Sequence, residues 1–132
     1  MDVHLSGHYN LGTRENPTIW YVSGNIKTKR PTTFSGYGVF IVKGNVEFYH
    51  DVSGDSEETM LGFYTPGSIL LKESGISLRA QLFANGGVEF ESDVTLYGNI
   101  TTSGKVEFKG AASLYYRPAS PALTEPFWPM SQ

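Results

Sequence analysis

Residues 39–48, Val-Phe-Ile-Val-Lys-Gly-Asn-Val-Glu-Phe, read as a short apolar strand, a glycine corner and a second short strand. The same pattern stands at Trp20-Tyr21-Val22-Ser23-Gly24-Asn25-Ile26, Phe63-Tyr64-Thr65-Pro66-Gly67-Ser68-Ile69, Leu82-Phe83-Ala84-Asn85-Gly86-Gly87-Val88 and Ile100-Thr101-Thr102-Ser103-Gly104-Lys105-Val106. Anchored on Ile26, Val46, Ile69, Val88 and Val106, the repeats lie 20, 23, 19 and 18 residues apart. Self-similarity near 20 residues predicts a solenoid, in which each unit buries its apolar side only by stacking on its neighbours.

The register can be followed unit by unit. Six residues before each anchor stand Trp20, Phe40, Phe63, Leu82 and Ile100; two after stand Thr28, Phe48, Leu71, Phe90 and Phe108. Strand alternation puts these positions on the same side of the chain as the anchors. Two residues before each anchor is always glycine: Gly24, Gly44, Gly67, Gly86 and Gly104. That glycine predicts a sharp corner, needing either positive φ or close backbone approach. A third side follows, with Phe34, Val52, Ile76, Val94 and Ala112, then Leu78, Leu96 and Leu114.

Three short sides per coil describe an all-β fold: a single-stranded parallel β-helix of triangular section. Parallel crossovers favour a right-handed solenoid. Five such coils at the parallel-strand spacing make a rod about 24 Å long. Residues 19–114 form this β-helix. Residues 1–18, the least regular stretch, are expected to form an entry strand or N-terminal cap. Residues 115–132 carry four of the seven prolines, at Pro118, Pro121, Pro126 and Pro129. That density excludes a regular strand or long helix. Phe127, Trp128 and Met130 are too apolar for a free linker, so a C-terminal cap packed back on the coils is expected. The polar stretch 53–59 accounts for the longest repeat and predicts an exposed loop.

Five residues before each anchor, side chains should point outward. Tyr21, Ile41, Tyr64, Phe83 and Thr101 occupy that position. An apolar ladder on an outer face is either covered by another part of the chain or a partner-binding surface. Three residues after the anchors, Glu91 should sit between Lys72 and Lys109.

Composition narrows the function. Glycine is frequent (15 residues), charge is sparse (17%), and the net charge is −3, which does not favour nucleic acid or an anionic membrane surface. The chain has no cysteine, hence no disulfide and no thiolate chemistry. Of His4, His8 and His50, only the first two are close in sequence, too few for a zinc site. Asp51, Asp55, Glu57 and Glu58 gather near the loop without the spacing of a calcium-binding loop. No nucleophile, zinc-protease or phosphate-loop motif is present. The chain therefore reads as a non-enzymatic protein with no catalytic residues, no metal site and no cofactor.

Trp20-Tyr21-Val22-Ser23-Gly24-Asn25-Ile26, residues 38–46, Val94-Thr95-Leu96-Tyr97-Gly98-Asn99-Ile100 and the closing Leu114-Tyr115-Tyr116-Arg117-Pro118 resemble the C-terminal β-helical region of PilX-type pilus-assembly proteins. The resemblance covers about residues 19–118. It implies a minor-pilin-like protein of a type IV pilus, displayed at the cell surface or extracellularly, beyond an N-terminal hydrophobic helix that residues 1–4 do not contain. Pilus subunits, or another domain of the same protein, would be its partners. Gly-Asn-Val repeats are also similar to those of bactofilins, cytoplasmic β-helices that polymerise through bare ends. Irregular coils and bulky outer aromatics set this chain apart from them. A carbohydrate-binding β-helix is a further alternative, with glycans stacking on Tyr21, Tyr64 and Phe83. A monomer or small oligomer is expected, with Tyr21, Ile41, Tyr64 and Phe83 as the interaction face.

Overall fold

The computed structural model describes residues 2–54, 56–72 and 75–117. Among them there is no helix, and thirteen strands join into one sheet that winds into a β-solenoid. The strands are β1 (Val3–Asn10), β2 (Thr18–Val22), β3 (Ile26–Ser35), β4 (Tyr37–Val42), β5 (Val46–Phe48), β6 (Val52–Gly54), β7 (Met60–Thr65), β8 (Ser68–Leu71), β9 (Ile76–Ala84), β10 (Gly87–Phe90), β11 (Val94–Thr101), β12 (Val106–Phe108) and β13 (Ala112–Tyr116). All the strand pairings are parallel.

Three sides stack along the rod. Side one is β2, β4, β7 and the second halves of β9 and β11. Side two is the first halves of β1 and β3, then β5, β8, β10 and β12. Side three is the second halves of β1 and β3, then β6, the first halves of β9 and β11, and β13.

The columns follow the sequence register. Ile26, Val46, Ile69, Val88 and Val106 are successive partners, as are Trp20, Phe40, Phe63, Leu82 and Ile100. Thr28, Phe48, Leu71, Phe90 and Phe108 form the third column. Rings meet within and between columns: Phe63 stacks on Phe40, its column neighbour, at 4.8 Å between centroids and meets Phe48 of the third column edge-on at 5.4 Å.

Two expectations change, and a third is decided between its two alternatives. The first concerns the number of turns, because the entry strand expected in residues 1–18 is present as β1. Val3 pairs with Ile26 and Leu5 with Thr28, so β1 is a full rung and the solenoid has about six turns, not five. The second concerns side three, where Thr32, not Phe34, is level with Val52. The buried Thr32 hydroxyl donates to the carbonyl oxygens of Leu5 (3.3 Å) and Arg30 (3.0 Å), so a threonine stands in an otherwise apolar column. The third concerns the corner glycines, none of which has positive φ; that conformation occurs at Gly7, Gly36 and Gly87. Close approach explains the corners instead. A Cβ on Gly44 would lie 2.7 Å from the carbonyl oxygen of Gly24, and one on Gly86 would lie 2.9 Å from that of Gly67. The expected C-terminal cap falls on residues 118–132, outside the described residues.

Beside each corner runs a polar ladder. The Asn25 side-chain oxygen accepts the N–H of Asn45 (2.7 Å), and the Asn45 side-chain oxygen accepts the N–H of Ser68 (2.9 Å). Asp2 begins it, accepting the Asn25 N–H at 3.1 Å. These bonds satisfy N–H groups at turns where the strand ladder lapses.

Two stability predictions follow from the core. Phe63→Ala should cost about 3–5 kcal/mol in chemical denaturation, because Phe63 is fully buried between two phenyl rings. Thr28 is fully buried and its hydroxyl has no partner among the described residues, so Thr28→Val should raise stability by about 1 kcal/mol. A destabilised Thr28→Val variant would contradict the described packing.

Candidate functional site

The outward side of side one carries the residues singled out as an interaction face. Tyr21, Ile41, Tyr64, Phe83 and Thr101 are successive register partners, so the column exists. It is not an open ladder. Tyr21 is 74% exposed and Thr101 is exposed, Ile41 and Phe83 are half-buried, and Tyr64 is only 8% exposed. Tyr64 forms a second, smaller cluster with buried Val39 and Met60, against which Tyr37, Ile41 and Phe83 pack. Gly62 makes room for it, since a Cβ there would meet the Tyr64 ring edge at 2.9 Å. The Tyr64 hydroxyl accepts a hydrogen bond from the buried amide of Gln81 at 3.0 Å. Burial pushes the Tyr64 phenol above its ordinary value, against the pull of that bond. A ring enclosed in this way offers no free face for a sugar to stack on, which leaves Tyr21 as the open aromatic of the column.

The open apolar surface lies elsewhere, at the last rung. Phe108 and Leu114 continue columns that are fully buried in the middle rungs, yet they are 51% and 44% exposed. Val106 is exposed too, and so are Tyr115 and Tyr116. On side three, Tyr97 stacks on Tyr115 with ring centroids 4.8 Å apart, and the Arg117 guanidinium sits 5.7 Å from the Tyr97 ring centre. Hydropathy patterning did not reveal this surface, because Val106 and Phe108 obey the same code as their buried counterparts.

The outward side of side two is a ladder of charges. Lys27 lies between Asp2 (3.8 Å) and Glu47 (4.0 Å), and Lys72 pairs with Glu91 at 3.9 Å. Lys72 also lies over the Tyr49 ring, 5.3 Å from its centre. Lys109 reaches Glu89 at 3.3 Å rather than the expected Glu91. The Glu91 carboxyl, hydrogen-bonded to Glu89, holds Glu89 below the usual carboxylate value, and the same bond raises Glu91. These pairs are half-buried or exposed, at the sheet surface, and contribute little stability.

The histidines stay apart. His8 on side three contacts the Thr33 hydroxyl (2.6 Å), Asn10 (3.0 Å) and Ser35 Oγ (3.3 Å). The Ser35 hydroxyl is itself turned to Asn10, at 2.7 Å. A serine next to a histidine suggests a nucleophile and its base, but here Nδ1 meets a hydroxyl instead of an orienting carboxylate. His50 accepts the Asp51 N–H at 2.8 Å, and His4 lies on β1 level with Lys27. Of the acidic residues near the loop, Asp51, Glu57 and Glu58 are described and Asp55 is outside the described residues; among those described, no three acidic, histidine or cysteine side chains gather as metal ligands.

No known protein family, curated protein or solved structure matches the chain.

The acid sensitivity of the first rung can be tested. Asp2 is held below its ordinary value of 3.8, first by the Asn25 backbone N–H it accepts. A depressed folded-state value means that its contribution is fully present above the ordinary value and is lost as the pH falls through the lowered one. Between about pH 5 and pH 2, the thermal midpoint should therefore fall less in Asp2→Asn than in the parent chain. Equal slopes would show that the Asp2 contact adds nothing.

Proposed function

We propose that this chain is a non-catalytic structural module, a stiff rod that works by end-on docking to a protein partner. The observation that carries this reading is the last rung, where Val106, Phe108 and Leu114 stand exposed in columns that are otherwise core. Exposed apolar surface continuous with a core is costly to leave wet and favours a protein contact. The resemblance of its repeats to PilX-type proteins gives the partner a class: subunits of a type IV pilus, with the module serving in pilus assembly or surface attachment outside the cell. In cells that make the protein, loss of the gene should reduce piliation or attachment. The parent gene should restore them, and a Phe108→Glu/Leu114→Glu gene should not, although the variant's circular dichroism stays β-rich. Full restoration by the double variant would remove the end as the working surface.

A second reading, a self-assembling scaffold of the bactofilin kind, is favoured by the charges at the two ends. If the first rung of one copy continued the last rung of another in register, Lys105 would come level with Asp2, Glu107 with His4 and Phe108 with Leu5. Such a head-to-tail contact is heterologous and, unless it closes into a ring, grows a filament. Filaments in negative-stain micrographs at micromolar protein, abolished by Phe108→Glu, would establish it. Single particles at that concentration would leave the first reading.

A further inference from the structure

We infer that the protein partner of the last rung docks by adding a strand of its own to the open edge of β12, parallel to it like every other pair in the sheet. That strand carries an acidic, a β-branched, a basic and then an aromatic or leucine residue in succession. This mode of binding rests on the end-docking reading and gives the partner its chemistry.

The backbone sets the mode. β12 pairs with β10 and, among the described residues, with no other strand. One rung back, the Val88 N–H donates to the Lys105 carbonyl oxygen at 2.9 Å, and the Lys109 N–H donates to the Phe90 carbonyl oxygen at 2.7 Å. The same two bonds join the earlier rungs. The Ile26 N–H donates to the Asn45 carbonyl oxygen, and the Tyr49 N–H donates to that of Thr28, both at 2.9 Å. Val106 and Phe108 hold on β12 the places of Val88 and Phe90. The Val106 N–H and the Phe108 carbonyl are therefore turned to the open side, where no described residue meets them. Unpaired groups on a sheet edge are a template for a further strand.

Side chains set the partner. Val106 and Phe108 are 38% and 51% exposed, so an added strand with apolar residues level with them extends two core columns. The outward charges decide the residues between. Lys109 is taken up by Glu89 on the rung before. Lys105 and Glu107 end their columns with no ion-pair partner among the described residues. Glu107 also stands level with Glu89, a like charge at strand spacing that a cation on the open side offsets. An acidic residue level with Lys105 and a basic one level with Glu107 complete both columns, and such pairs select a partner more than they hold it. β13, beside β12 on the last rung, carries no charged residue, so the selection falls to β12. A second copy would offer Asp2, Val3, His4 and Leu5 in that order, but its Leu5 is already 2% exposed. A strand not yet packed in a sheet brings all of its apolar surface to the joint.

The probe is a fluorescently labelled synthetic peptide that copies residues 102–111 with Lys105→Asp and Glu107→Lys, titrated with the full chain. Fluorescence anisotropy should show it binding about tenfold more tightly than an unchanged copy of residues 102–111. The preference should invert on a full chain carrying Lys105→Asp/Glu107→Lys, since both residues are exposed and their exchange leaves the core intact. A methyl group on the peptide nitrogen after the phenylalanine, the donor to the Phe108 carbonyl, should weaken binding about tenfold. Equal affinities for the two peptides, no inversion, or indifference to the methyl group would overturn strand addition, and so would the absence of binding at millimolar peptide. None of those results touches end-on docking, which the Phe108→Glu/Leu114→Glu gene tests in cells; full restoration there would remove both. Dimers or filaments of the full chain that the peptide disperses would make a second copy the occupant and overturn the assignment to a partner.

Discussion

The closeness of one rung's corner to the next is the constraint on which this solenoid rests. At Gly44, Gly67, Gly86 and Gly104 the chain turns against the backbone of the rung before, and the space a side chain would occupy is already taken: Gly104 has the Gly86 backbone where its Cβ would lie. Only glycine leaves the rungs at strand spacing there. A wedge at one corner would pry apart side one and side two together, because the corner joins them. The asparagine ladder uses the same closeness. Asn25 and Asn45 put an acceptor oxygen where the next rung presents an unpaired N–H. The ladder gives way to Gly86-Gly87, where Gly87 has φ +112° and Gly86 still lies close against the Gly67 carbonyl.

Once the corners fix the spacing, the columns fix the core. The interior is filled by columns of side chains that run along the rod, so each rung packs on the rungs beside it, and stability accumulates by neighbours as in other repeat proteins. Aromatic rings bridge the columns at the first end: Tyr9 stacks on Phe34 and meets Trp20 edge-on, and Trp20 meets Phe40. Toward the other end the columns lose their cover, and Phe108 keeps a stacked neighbour, Phe90, on one side only.

The columns were legible in the sequence because each needs an apolar residue at a fixed distance from a glycine, and five repeats obeyed that rule. The first rung was legible only as an entry strand or cap, not as a full turn. Val3 and Leu5 lack a preceding corner glycine, and Ser6-Gly7-His8 breaks the apolar period. Thr32 escaped for a related reason: hydropathy ranks Phe34 above it, while the fold satisfies the threonine hydroxyl with backbone carbonyls. The outward column illustrates a deeper limit. Parity along a strand says that Tyr21 and Tyr64 leave the sheet on the same side. It says nothing of what lies over them, and one is open while the other is enclosed. Exposure of the last rung was hidden in the same way, because burial depends on the next rung and not on the residue.

The two ends are unlike, and that difference ranks the functional readings. At the first rung the chain covers itself. Tyr9 folds back so that its hydroxyl accepts the Ser6 N–H at 3.1 Å, its ring lies on Phe34, and Leu5 is only 2% exposed. At the last rung the equivalent residue, Phe108, is half in solvent. A head-to-tail filament is driven by apolar surface left bare at both ends, and Leu5 on the first rung has almost none left to bury. A single partner that seats on the last rung displaces nothing and buries Val106, Phe108 and Leu114 together. The charge match across a head-to-tail joint involves exposed groups, and such pairs steer association more than they hold it. With little apolar surface to gain at the first rung, a rod that docks once, by its open end, is the arrangement that this asymmetry favours.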